Sequence, residues 1–282
     1  MNSLQIHAIK LVRDTVNRYA SSPIPKIDEI CTGLGIKIKE DMIQDGRDGM
    51  YFDNTIIINS KIRSKGRKRF TIFHEVMHYF FETDADLISK LHELTDIQID
   101  EHNRQIELYC NIGAAEFLMP REEFTKLYKA KGFNVQLIPL ASRHFKSSTI
   151  AATIQLAQVA PNQCITAICE LTHDETPSLQ PQIFNEKEQT DMRKLRVTYA
   201  ASSPNVKYTL AKNTVIPYDH LIYDAIGQDN PVEGDSYVPF RSGKKMPCHC
   251  EALSDGNRIY VIFHLSTPTS TNEMQINLFG ST

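Results

Sequence analysis

The chain lacks any run of about 18 apolar residues, which excludes a membrane-spanning helix of ordinary length. Met1 to Ala20 has no basic end followed by an apolar block, so no signal peptide is expected. There is no internal repeat and no low-complexity tract, which argues against a solenoid or a disordered scaffold. No large excess of charge of one sign is present: 31 Lys and Arg against 34 Asp and Glu leave a formal net charge of −3. Global charge therefore points neither toward nor away from nucleic acid. The six cysteines, Cys31, Cys110, Cys164, Cys169, Cys248 and Cys250, are too scattered for a disulfide framework. Reduced thiols in a cytoplasmic protein are expected instead.

What is present is ordinary globular material. Its 282 residues, 41% of them hydrophobic, can bury a sizeable core. Leu4, Ala8, Leu11, Val12, Val16 and Tyr19 recur at helical spacing. A short helix is expected after Pro25, ending at Gly33-Leu34-Gly35. Ile36 to Lys39 reads as a strand. Met50 to Phe52 and Thr55 to Asn59 flank Asp53-Asn54 and read as a hairpin. Helices are expected over about 68–81 and 100–118, and a third from Pro120 to near Gly132. Two short helices follow, over 137–144 and 149–158. Beyond Pro161 the texture changes to strands over 165–171, 195–201, 238–240 and 258–265, with a polar loop or linker over 172–192. The expected class is α+β, divided into residues 1–125, a small helical part over 126–160, and a sheet-rich part over 161–282.

Arg69 to His78 reads R-F-T-I-F-H-E-V-M-H and contains H-E-x-x-H. Residues four apart on a helix share a face, so His74 and His78 can offer two imidazoles to one ion. Glu75 is turned by about 100° from His74 and is placed to act as a general base toward a water that zinc acidifies to a pKa of about 7. The competing interpretation is a core helix with two satisfied histidines. A catalytic zinc needs a third protein ligand. Asp84 and Asp86 follow too closely, on an expected turn, and His92 and His102 stand in polar surroundings between helices. Glu107 lies within the apolar run Ile106 to Ala115, where an acid needs a partner such as a metal. Glu116 is the rival acid, with a surface or capping charge as its bland role. The chemistry favours Glu107. Asn111 lies one turn on, on the same face, and Gly113, Ala114 and Ala115 let two helices pack closely. A His₂Glu set suits zinc, with manganese as the alternative.

Three other features carry weaker signals. Lys61, Arg63, Lys65, Arg67, Lys68 and Arg69 crowd into nine residues, as a solvated loop or as an electrostatic guide for an anionic partner. Leu140 to Ala152 has helix-turn-helix texture, yet Thr149 to Gln158 carries no Lys or Arg. That favours a structural or protein-docking role and leaves DNA binding as the alternative. Cys248-His249-Cys250 on a strand would point both thiols to one face and the imidazole to the other, a poor chelate. Arg241, Lys244 and Lys245 are candidates to bind an anionic effector.

The stretches R-F-T-x-x-H-E-x-x-H at Arg69 to His78 and E-x-x-x-N-x-x-A-A-x-x-L-M-P at Glu107 to Pro120 resemble the ImmA/IrrE family of metallopeptidases. Gly234 to Pro247 is very like the corresponding stretch of its IrrE branch, and the segment order matches from Leu11 to about Leu265. The resemblance implies zinc on His74, His78 and Glu107, with Glu75 as base. Cys110 and Gly113 stand where the wider family commonly has Ala and an aromatic residue. The branch also implies a zincin-like peptidase, a helix-turn-helix region and a GAF-like sensor domain open to a small-molecule effector. The implied activity is zinc-dependent cleavage of a helix-turn-helix transcriptional repressor, which induces a DNA-damage or radiation response. The rival class is a DNA- or partner-binding transcriptional regulator whose metal is structural, and a third reading is a general degradative peptidase.

Overall fold

Helix α1 (Ser3–Tyr19) starts where the Asn2 side chain accepts a hydrogen bond from the Gln5 backbone N–H, and it buries Leu4, Ala8, Ile9 and Val12 along one stripe. The computed structural model describes residues 1–94, 99–172 and 193–265. Helix α2 (Ile27–Leu34) stops at Gly35, whose φ of 71° closes the helix in the left-handed region. Strands β1 (Lys37–Asp41), β2 (Gly49–Phe52) and β3 (Thr55–Asn59) form a sheet of order β1-β3-β2. β1 runs parallel to β3, while β2 and β3 form the expected hairpin. Asp53 and Asn54 both have positive φ, 46° and 53°, the backbone that a two-residue turn between right-twisted strands requires.

Helices α3 (Lys65–Thr83), α4 (Ala85–Leu94), α5 (Ile99–Leu118), α6 (Arg121–Lys131), α7 (Leu137–His144) and α8 (Thr149–Val159) follow. The expected helices over 68–81 and 100–118 are α3 and α5, each slightly longer than their apolar pattern. Helix α4 was not anticipated. Asp84 and Asp86 were expected on a turn, but Asp84 closes α3 and accepts from the Leu87 N–H at 2.7 Å, so the chain re-enters a helix at once. Asp86 lies in the first turn of α4, and His92 lies on that helix too. Eight successive residues of α8, Ala151 to Gln158, are buried. No helix among the described residues is long and apolar enough to cross a membrane.

The C-terminal half is an antiparallel sheet of β4 (Cys164–Thr172), β5 (Lys194–Ser202), β6 (Val232–Pro239), β7 (Lys245–Ser254) and β8 (Arg258–His264), in the order β5-β4-β8-β7-β6. Period-two alternation splits its side chains. Ile168, Tyr260 and Ile262 join the core made by the helices, whereas Ala167, Val261 and Phe263 close a second core with the 3₁₀ turn Leu221–Ala225. β6 begins six residues before the expected strand at Val238, because an edge strand tolerates polar residues such as Glu233 and Asp235 facing solvent. On β7, Cys248 and Cys250 point inward and His249 outward, the arrangement that makes a poor chelate. All six cysteines are free and buried. The linker expected over 172–192 lies, beyond Thr172, outside the described residues. Mixed α+β is thus the observed class.

Candidate metal centre

Helix α3 buries Ile72, Phe73, Val76, Met77, Phe80 and Phe81 and leaves His74 and His78 half-buried on the flank facing α5. Their Nε2 atoms are 3.1 Å apart. Glu107 on α5 completes a triangle: its Oε2 is 3.3 Å from His74 Nε2 and its Oε1 is 3.4 Å from His78 Nε2. Bonds of about 2.0–2.2 Å at a tetrahedral angle separate neighbouring donors by roughly 3.3–3.6 Å. The triangle is therefore close to the size that one zinc ion requires, and the donor chemistry suits it.

Glu116 sits nine residues after Glu107, which on a helix turns it to the opposite face. It is buried there at 2% exposure. It accepts from the Arg121 backbone N–H at 3.0 Å, at the start of α6, and from Gln155 Nε2 at 3.0 Å. Its role is a cap, but an interior one. Glu107 itself is not embedded in apolar surroundings as its neighbours suggested. Its side chain is 58% exposed, with its two oxygens directed at the two imidazoles. His92 and His102 face each other across α4 and α5, with ring centroids 5.1 Å apart.

Two residues that the sequence did not single out for a role shape the centre. Asn111 Oδ1 lies 3.1 Å from His74 Nδ1. In the Nδ1–H tautomer His74 donates to it and keeps the Nε2 lone pair for an ion. Gly49 on β2 faces the general-base candidate: a Cβ placed there would stand 2.6 Å from Thr71 Cγ2 and 3.1 Å from Glu75 Oε1. The missing side chain is what lets the edge strand lie against the carboxylate. Gly113 acts similarly between helices, since a Cβ there would meet Met77 Sδ at 2.3 Å. The small run Gly113 to Ala115 signals the close helix contact, but nothing in the sequence signals the approach at Gly49.

The electrostatics follow from this packing. Glu75 is only 6% exposed, and burial pushes its carboxyl above the ordinary range, against the pull of His74, His78 and the Tyr51 backbone N–H. Hydrogen bonds from His74 and then His78 hold Glu107 far below that range. Burial works against a charged His78, yet Glu107 and Glu75 outweigh it and raise its pKa. Burial, with the charges of Glu107 and Glu75 behind it, drives the Cys110 thiol well above its usual value.

The family model described as the IrrE N-terminal-like domain (Peptidase_M78) matches residues 31–157, a span that contains α3, α5 and the hairpin. The chain is 35% identical over 221 residues to the radiation response metalloprotease IrrE of Deinococcus deserti, covering 78% of this chain and 74% of that one. The chain belongs to the IrrE family of metallopeptidases. A second IrrE-family relative, the radiation response metalloprotease IrrE of Deinococcus radiodurans, is 32% identical over 219 residues, 77% of this chain and 65% of that one. A solved Mycobacterium tuberculosis transcriptional regulator shares the fold with a TM-score of 0.56. It is 14% identical, over 94% of this chain and 77% of that chain.

The other candidate sites in this IrrE-family chain are partly absorbed by structure. Arg67 pairs with Asp48 through two nitrogens, and Lys68 bonds Glu40 at 2.7 Å. Arg69 donates to the carbonyls of Phe145 and Lys146 after α7. Lys61, Arg63 and Lys65 stay exposed. In the C-terminal sheet Arg241 donates to the Lys212 carbonyl, while Lys244 and Lys245 lie over the rings of Tyr208 and Tyr237.

Proposed function

We propose that this chain is a zinc-dependent, gluzincin-type endopeptidase of the cytoplasm that cuts a helix-turn-helix transcriptional repressor and so induces a DNA-damage or radiation response. His74, His78 and Glu107 hold the ion, and Glu75 is the general base. One observation carries this reading: three donors 3.1–3.4 Å apart stand beside a carboxylate that is buried and whose pKa burial raises above the ordinary range. When bound, zinc supplies Lewis acidity toward water and toward the scissile carbonyl. Zinc suits two imidazoles and a carboxylate, with manganese as the second choice.

Glu75 takes the proton of the attacking water and passes it to the leaving amine. Its raised affinity for protons fits a group that must both accept and donate one near neutrality. Asn111 holds the His74 ring in the orientation its role requires. Among the described residues β2 pairs only with β3, so its outer edge offers backbone groups to which an extended peptide can add as a further strand beside Glu75. The radiation role rests on the names of the two Deinococcus relatives, and the repressor substrate on the resemblance to their branch. The C-terminal sheet then serves as a GAF-like sensor, with Arg241, Lys244 and Lys245 toward an anionic effector.

The second reading is a DNA- or partner-binding regulator with a structural metal. It is favoured by Cys110, whose thiol stands close enough to the two imidazoles to complete a closed sphere. Against it, a structural site has no use for a buried Glu75. The burial of Ala151 to Gln158 in α8 also argues against that helix entering a DNA groove. The deciding experiment mixes the purified chain and zinc with candidate helix-turn-helix repressors and weighs any fragments. One discrete cut in one repressor is expected. Intact repressors throughout, or cuts at many sites in unrelated unfolded proteins, would reject the assignment.

A further inference from the structure

Beyond the triangle, one more donor lies near the two imidazoles. Cys110 lies on α5 one turn from Glu107, with no exposed surface, and is not in a disulfide. Its Sγ and the ring nitrogens of His74 and His78 all lie within 4.8 Å of one another. The His74 and His78 pair therefore has a sulfur donor near it as well as the Glu107 oxygens. Glu107, Cys110 and Asn111 occupy positions i, i+3 and i+4, so one face of α5 carries an oxygen donor, a sulfur donor and the partner that orients His74.

A tetrahedral ion holds a thiolate sulfur and an imidazole nitrogen about 3.6 Å apart, from bonds of about 2.3 and 2.0 Å. The Sγ therefore has to come nearer each imidazole nitrogen by about 1.2 Å at most, within reach of a small side-chain or helix adjustment. A catalytic zinc keeps three protein ligands and one open position, whereas a fourth protein ligand closes it.

We propose that Cys110 is an exchangeable fourth ligand of the centre, holding the peptidase closed until its sulfur leaves. The inference rests on the His74, His78 and Glu107 site proposed above. On closing, the S–H bond breaks, its proton goes to solvent, a sulfur–metal bond forms and one water is released; opening is the reverse. A soft sulfur donor also biases the site toward zinc and away from manganese.

The test uses the full-length chain loaded with Co²⁺, beside the Cys110→Ala and His74→Ala variants. The wild-type spectrum should show a near-ultraviolet thiolate-to-cobalt charge-transfer band. Cys110→Ala should keep cobalt and lose the band, and its zinc affinity in a chelator competition should fall about tenfold or more, the scale on which even outer partners of a metal act. Acetohydroxamate, which competes for an open position, should bleach the wild-type band. Tightly bound cobalt without the band overturns the fourth ligand and leaves the three-ligand site standing. A band that saturating acetohydroxamate does not change, or loss of all cobalt in Cys110→Ala, makes the sulfur a permanent ligand and overturns the exchange. Cobalt retained by His74→Ala sinks the centre itself.

Discussion

Asn111 Oδ1 rests 3.1 Å from His74 Nδ1, joining two helices whose contact residues are 37 positions apart. The bond sets which ring nitrogen of His74 is left for an ion. It also ties the tilt of the imidazole to the packing of α5 on α3. Asn111→Ala should lower zinc affinity about 10–100-fold, measured by competition with a chromophoric chelator. Unchanged affinity would deny Asn111 any orienting role.

The general base and the ligands separate cleanly. Glu75→Gln should keep the metal and lose peptide cleavage by about 10²–10⁴-fold. His74→Ala should lose both. Metal content by elemental analysis alongside repressor cleavage distinguishes the cases, and a fully active Glu75→Gln protein would falsify the assignment of the base.

Gly49 tests whether the edge strand must lie against that carboxylate. Its replacement by Ala forces a methyl against Thr71 and Glu75. Overpacking of this kind costs about 1–3 kcal/mol. The variant should melt earlier and cleave far more slowly than its stability loss alone would produce at a temperature where it is folded. Wild-type cleavage by a folded Gly49→Ala protein would show that the strand and Glu75 have room to spare.

His220 makes the C-terminal sheet sensitive to acid. Its ring is 2% exposed, Nδ1 accepts from the Ile222 N–H, and Nε2 donates to the Tyr237 carbonyl at 2.7 Å. Burial lowers its pKa below the ordinary 6.5. The unfolded chain therefore takes the proton first. The contribution of this residue is full above pH 6.5 and declines as pH falls through 6.5 toward the folded value. Urea titrations at pH 7.5 and 5.5 should show a larger stability drop in wild type than in His220→Gln. Equal drops would remove His220 as the cause.

The local patterns were legible because they are local. H-E-x-x-H places two imidazoles on one flank of α3 through the helical repeat alone, and Asp53-Asn54 sets the hairpin turn through backbone sterics. The alternation of Cys248, His249 and Cys250 foretold their opposite faces for the same reason. The continuation of the chain from α3 straight into α4 was not legible. It depends on Asp84 bonding Leu87 in place of leaving the helix, and the same residues suit a turn equally well.

The sequence by itself determined the helix that carries His74, Glu75 and His78, the face shared by Glu107 and Asn111, and the kinship of the chain. Tertiary structure alone decided that Glu107 stands exposed beside the imidazoles, that Gly49 admits β2 against Glu75, that α8 is enclosed, and that the Cys110 sulfur lies near the two imidazoles. Spacing along one helix follows from 3.6 residues per turn, but contacts between segments dozens of residues apart exist only once side chains have competed for the same space.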